Sequence, residues 1–231
     1  MVNKKNNKTK SERNMICQSE NLIKSLRYFT TMESRIYFSM LKRLDYNAKE
    51  FSETRIDLKE FFEEWEAYSG CYYNQIRKSI EKFQDYTYCD SISNERKKLF
   101  EYIRLDLHTH EILGKFSDDV KKDLLLPIGN TTPIRMAFSD LVKIKNRKCN
   151  IKVFEIILTK LFTEDETSWE VLARELAVIL TNIQTYVKNP SMLMSYIINP
   201  AVKDINDNID GINLTCEISR NKRITFTKVE E

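Results

Sequence analysis

Glycine and proline are scarce, four of each in 231 residues, and histidine is scarcer still at two. Four scattered glycines cannot build a phosphate-cradling loop, and no Gly-x-Ser-x-Gly turn is present to carry a strained nucleophile. No apolar run is long enough to cross a bilayer, and the opening MVNKKNNKTKSER lacks the apolar centre of a secretory signal, so the sequence points to the cytoplasm and away from any membrane. Cys17, Cys71, Cys89, Cys149 and Cys216 are odd in number, widely spaced and without a Cys-x-x-Cys pair. That pattern argues against a disulfide framework or a zinc site and for free structural thiols. Neither charge dominates: 37 basic and 34 acidic side chains leave a net +3. Any affinity for a polyanion must therefore come from where the charges sit. Neither a cofactor nor a metal is expected.

What is present is the material of a folded protein, 42% hydrophobic and 31% charged, enough for one large core or two small ones. Residues 1–17 carry Lys4, Lys5, Lys8, Lys10 and Arg13 with few apolar anchors and read as a flexible basic arm, either a solubilising tail or a tracker of nucleic acid. From residue 18 the pattern turns helical. Leu22, Ile23, Leu26 and Phe29 form one stripe, Thr30 and Glu33 a capping box, and Ile36, Tyr37, Met40, Leu41 and Leu44 a second stripe with Arg35, Lys42 and Arg43 outward. A short strand at 55–57 leads into a third helix, and YYNQIRKSIEKF makes a fourth with Ile76, Ile80 and Phe83 inward. Two β-rich segments then flank the polar turn NERKK, the signal of a wing. A further strand, 112–116, and a helix starting near Ser117 extend this half.

The second half repeats the plan. RIYFSMLKRL from Arg35 lines up with KVFEIILTKL from Lys152, pairing Ile36 with Val153, Tyr37 with Phe154, Met40 with Ile157 and Leu44 with Leu161. Ile76, Ile80 and Phe83 correspond to Ile198, Val202 and Ile205, and the turn NERKK to RNKR at 220–223. The fold class expected is α+β: two tandem winged-helix domains related by internal duplication, mainly helical with β-hairpin wings, spanning 18–130 and 131–231 after the arm at 1–17.

In a winged helix the last helix enters the major groove of duplex DNA, while the wing and helix ends touch phosphates. The candidates in the first half are Tyr73, Asn74, Gln75, Arg77, Lys78 and Lys82, with Arg96 and Lys97 in the polar turn: Asn and Gln suit adenine, Arg guanine and Lys phosphate. In the second half they are Ser191, Ser195, Asn199 and Lys203 on a helix over 190–208, and Arg220, Lys222 and Arg223 on the wing. Asp204 and Asp207 on that helix must look away from DNA. A third basic run, KIKNRKCNIK, offers Lys143, Lys145, Arg147, Lys148 and Lys152 without an acid.

These residues resemble the initiator Rep proteins of theta-replicating plasmids, which bind repeated origin sequences called iterons. The resemblance is carried by SENLIKSLRYFTTMESRIYFSMLKRL, YIRLDLHTHEILGKFSDDVKKDLL, VKIKNRKCNIKVFEIILTKL and above all YIINPAVKDINDNIDGINLTCEISRNKRITFTK, with its Pro-Ala pair, Ile-Asn pair and closing basic hairpin. It implies two winged helices on one iteron, a homodimer in equilibrium with the monomer, formed through the first domain and repressing the initiator's own gene, and host replication proteins such as a helicase as partners. The turn before the last helix departs toward TYVKNPSML, so individual base contacts do not carry over.

Two other functions compete. A tandem winged-helix transcriptional regulator would share the fold. A rolling-circle nicking enzyme would use His108 and His110 as a His-x-His pair on one strand face. It would also need Tyr-x-x-x-Lys downstream, which neither Tyr186 nor Tyr196 supplies. Two solvent-facing histidines at a hairpin tip fit the residues better, and a binding protein rather than an enzyme is expected.

Overall fold

The structure, a computed structural model, describes residues 15–26, 29–66, 72–126, 133–145, 149–181 and 183–229. The first half runs β1 (Met15–Gln18), α1 (Glu20–Ser25), α2 (Thr31–Lys42), β2 (Thr54–Asp57), α3 (Leu58–Glu64), α4 (Tyr72–Gln84), β3 (Thr87–Cys89), β4 (Arg96–Lys98), β5 (Phe100–Asp106), β6 (Glu111–Phe116) and α5 (Lys121–Leu124). The second runs β7 (Ile134–Ala137), α6 (Phe138–Lys143), α7 (Asn150–Ile157), β8 (Ser168–Leu172), α8 (Ala173–Leu180), α9 (Gln184–Lys188), α10 (Pro190–Leu193), α11 (Asn199–Asn208), β9 (Leu214–Ile218) and β10 (Arg223–Lys228).

Local chemistry sets the helix starts. Thr30 and Glu33 form the expected capping box on α2. The Asp57 carboxylate accepts from Glu60 N at 3.0 Å to start α3. Asn189 caps α10 with Pro190 in its first turn. The helix expected over 190–208 is continuous, but it widens into a π-helical stretch at Met194–Ile198. Pro200, which lacks an N–H and crowds the carbonyl four residues earlier, disfavours α-type bonding at this place.

The duplication is plain in the sheets. The first half orders its strands β2-β6-β5 and the second β8-β10-β9, all antiparallel. The buried stripes match as the sequence requires: Ile36, Tyr37 and Met40 on α2, with Val153, Phe154 and Ile157 on α7, are all at most 2% exposed. Gly114 lets β6 pass the core, since a Cβ there would lie 2.9 Å from Met40 Cε and 3.3 Å from the Tyr102 carbonyl oxygen.

Two expectations need correction. The first wing is the β5–β6 hairpin, because that pair occupies the place of β9–β10 in the repeated sheet. The NERKK turn belongs to a separate two-stranded ribbon, β3–β4, outside that sheet. Its polar turn residues carried the wing signal, but which hairpin joins the three-stranded sheet is decided by pairing with β2, a long-range relation. The arm also ends earlier than 17: Met15–Gln18 pairs antiparallel with Ile134–Ala137, and Ile16 is fully buried. The partner that orders this apolar strip lies far along the chain.

Helices complete the junction between the halves. Tyr37 OH donates to Gln18 Oε1 at 2.9 Å, Gln18 Nε2 donates to Glu155 Oε1 at 2.6 Å, and Lys152 Nζ donates to the Ile23 carbonyl. Trp65 meets Phe138 edge-on at 5.2 Å, and Lys160 pairs with Glu20 at 3.0 Å. Burial pushes the Glu155 carboxyl up and the Lys152 ammonium down, opposed in each case by the partner's charge. Lys152 is 7% exposed, so of the third basic run it is a junction residue and not a phosphate grip.

Candidate nucleic-acid interface

α4 buries Ile76, Ser79, Ile80 and Phe83 and turns Asn74, Gln75, Arg77 and Lys78 to solvent. Gln84 Nε2 fixes its end to β5 through the Ile103 carbonyl at 3.3 Å. Arg77 lies 3.8 Å from Glu81, a loose contact between two exposed side chains that leaves the guanidinium available. Two candidates on this helix are less free. Tyr73 is half-buried against the core, and Lys82 is held by Glu33 at 2.8 Å.

The outer row of the second helix is also as expected. Ser191, Ser195, Asn199 and Lys203 follow one another at four-residue spacing and are all exposed, while Leu193, Met194, Ile197, Ile198, Ala201, Val202 and Ile205 are buried. Asn206 ties the helix to β9 by accepting from Leu214 N at 3.0 Å and donating to the Leu214 carbonyl at 2.8 Å. Asp204 is turned inward and accepts from Asn150 Nδ2 at 2.8 Å. Asp207, though exposed, pairs with Lys203 at 2.7 Å and so neutralises the row's one cation. Tyr196, 54% exposed and beside Ser195, adds an aromatic surface that a reading for charged and amide groups passed over.

At the second wing, Arg220 and Lys222 stand at the exposed tip and Arg223 opens β10. Lys222 takes the left-handed conformation, φ 58°, that closes the turn. Arg223 pairs across the sheet with Glu170 at 2.9 Å. Lys145 is exposed beyond α6, and Lys143 pairs with Asp210 at 3.0 Å. Arg147 and Lys148 lie outside the described residues, as do Cys71 and residues 1–14 of the basic arm.

Arg96 and Lys97 do not join a wing. Lys97 Nζ is 2.5 Å from the Asp90 carboxylate, whose oxygens also accept from Asn21 Nδ2 at 3.0 Å and from Ile92 N and Ser93 N at 2.9 and 2.8 Å. Burial pushes Asp90 up, but these donors outweigh it and hold the carboxyl well below the usual range. The lysine is spent on organising the β3–β4 turn.

The two histidines lie in the turn at 107–110, not on a strand. Among the described residues, no three His, Cys, Asp or Glu side chains gather as metal ligands would. No helix among them is long and apolar enough to cross a membrane. Among the described residues, Cys17, Cys89, Cys149 and Cys216 form no disulfide.

The geometry so far is that of two like units, each presenting a helix beside a wing. Comparison with known proteins agrees. The chain matches the family described as Initiator Replication protein, WH1, over residues 15–158, and that described as Initiator Rep protein, WH2, over residues 174–229. It belongs to the initiator replication proteins, with two winged-helix domains. Among solved structures it is similar to the Pi initiator protein, crystallised in complex with iteron DNA, at a TM-score of 0.74 and 13% identity over 95% of this chain and 98% of that one. That likeness is one of fold. No curated protein matches the chain.

Proposed function

We propose that this protein is a plasmid replication initiator that binds direct repeats in origin DNA and opens the way to replication without covalent chemistry of its own. The observation that carries the reading is the repetition of one architecture, each copy with an exposed polar helix row next to a wing, in a chain that belongs to the initiator family. A neighbour of the same fold, the Pi initiator, is bound to iteron DNA in its crystal. In this reading α4 and the helix from α10 through α11 lie in successive major grooves on one face of the duplex. Asn74, Gln75, Arg77 and Lys78 read one part of the repeat, and Ser191, Ser195 and Asn199 the other. Arrays of bound protein strain the duplex beside an A·T-rich stretch, where opening costs least, and host proteins then load the helicase. A homodimer represses the initiator's own gene. The work is done in the cytoplasm.

Footprinting of the DNA flanking its gene tests the proposal. Regular protection of direct repeats of roughly two helical turns each, without strand cleavage, is the expected result. A lone protected palindrome would make the protein a transcriptional regulator. A cation-dependent nick with protein attached would make it a nicking enzyme.

A further inference from the structure

The repeated sheet allows the two wing tips to be aligned backward from the start of each central strand, and that alignment places His108 and His110. In the first half, Leu58 N, at the start of α3, donates to the His110 carbonyl at 3.0 Å; in the second, Ala173 N, at the start of α8, donates to the Lys222 carbonyl at 2.9 Å. Both acceptor residues adopt the left-handed conformation, φ 56° at His110 and 58° at Lys222, and each immediately precedes the central strand of its sheet. His110 is therefore the counterpart of Lys222. Counting back two residues, His108 is the counterpart of Arg220. The first turn is longer by one residue, since Asp106 faces Glu111 across it, whereas Ser219 N already bonds to the Arg223 carbonyl at 2.9 Å. All four side chains are exposed.

We infer that the tip of the β5–β6 hairpin is a second wing contact for the DNA backbone, with His108 and His110 in the roles of Arg220 and Lys222, and that its grip depends on protonation. This rests on the DNA-binding reading above. A lysine or arginine offers a phosphate a permanent charge, whereas an imidazole does so only when it holds a second proton, and histidine is the side chain whose ordinary titration falls near neutrality. The charged groups around the tip are Arg104, Asp106 and Glu111 on the hairpin, with Asp57 and Lys59 at the β2–α3 junction beside it. The Asp106 carboxylate is occupied locally: it accepts from His108 N at 2.8 Å and Thr109 N at 3.2 Å and braces the turn. Asp57 is likewise occupied in capping α3. Both histidines are exposed to an incoming phosphate, with the Asp106 charge also acting on His108, and the first domain's hold on DNA strengthens as pH falls while that of the second wing does not change.

The test is binding of the full chain to two duplexes, one carrying the direct repeats beside its gene and one of unrelated sequence, across about pH 6 to about pH 8. Wild-type affinity should fall with rising pH, by up to roughly tenfold per pH unit for each histidine whose proton uptake is coupled to binding, on both duplexes. The slope of affinity against salt should be steeper at the acid end, by up to about two. The double variant His108→Gln, His110→Asn, in which asparagine tolerates the left-handed conformation, should lose this pH dependence. His108→Arg with His110→Lys should bind with near-constant affinity at the level wild type reaches in acid. Thermal melting of each variant without DNA separates a folding defect from a lost contact. A wild type that binds the repeats with the same affinity at every pH, or a Gln/Asn variant that keeps the full dependence, overturns the wing assignment and leaves the initiator reading intact. No binding to the repeats at any pH overturns both.

Discussion

The Lys152 ammonium leaves the second half of the molecule and donates to the backbone carbonyl of Ile23 in the first. Its only carboxylate partner among the described residues is Glu155, 3.9 Å away and equally buried. The carbonyl thus takes the closer place, and the glutamate is shared with Gln18.

Replacing Lys152 by Met should therefore cost about 3–5 kcal/mol in urea unfolding, because Glu155 is left buried with Gln18 alone as donor. Adding Glu155→Leu should recover most of that loss, since an apolar pair of similar volume needs no desolvated charge. Equal instability of the single and double variants would show that the Ile23 contact, and not the unpaired carboxylate, is what matters.

Asp90 makes the fold sensitive to acid. Its folded-state pKa is depressed, so the stability it contributes is present above the usual aspartate value and is lost as pH falls through that value toward the depressed one. Asp90→Asn should lose about 1.5–3 kcal/mol near neutral pH through its charge-assisted bonds, and should unfold less steeply than wild type below about pH 4. Denaturant titrations at neutral and acid pH check both.

Gly114→Ala should destabilise the first half by about 1–3 kcal/mol, since the new methyl meets Met40 Cε and the fixed Tyr102 carbonyl. Adding Met40→Leu should relieve only the side-chain part of the clash. Chemical denaturation of the two variants reads the difference.

The wing and helix cations should separate by how each is already engaged. Arg220→Ala should lower the salt slope of DNA binding by about one, whereas Arg223→Ala, which removes a cation paired with Glu170, should lower it less. Arg77→Ala should weaken repeat binding by about 1–3 kcal/mol and relax the sequence preference at one position. Titrations at several salt concentrations distinguish the three.

Much of this was legible in the sequence because it is local or periodic. The stripes Ile36, Tyr37, Met40 and Val153, Phe154, Ile157 need only helical spacing, and the Thr30–Glu33 box needs only three residues. The exposed row from Ser191 to Lys203 follows from the same spacing. What escaped depends on distant pairing. β2 selects β6, and so fixes which of two adjacent hairpins is the wing; β1 finds β7 across the whole first half. Lys82, Lys97 and Arg223 look alike in a list of cations, yet Glu33, Asp90 and Glu170 hold them. Those partners are 49, 7 and 53 residues away.

The β1–β7 ladder ties the beginning of the chain to its middle, so a cut between Leu126 and Pro133 would not yield two independent pieces. The amino-terminal fragment would carry one strand of the ladder and the carboxy-terminal fragment the other, each with a fresh apolar edge and half of the buried Tyr37–Gln18–Glu155 chain. Co-expressed, the fragments have every reason to find each other. The molecule is, in effect, a ready-made split protein whose reassembly restores the ladder and the buried junction at once.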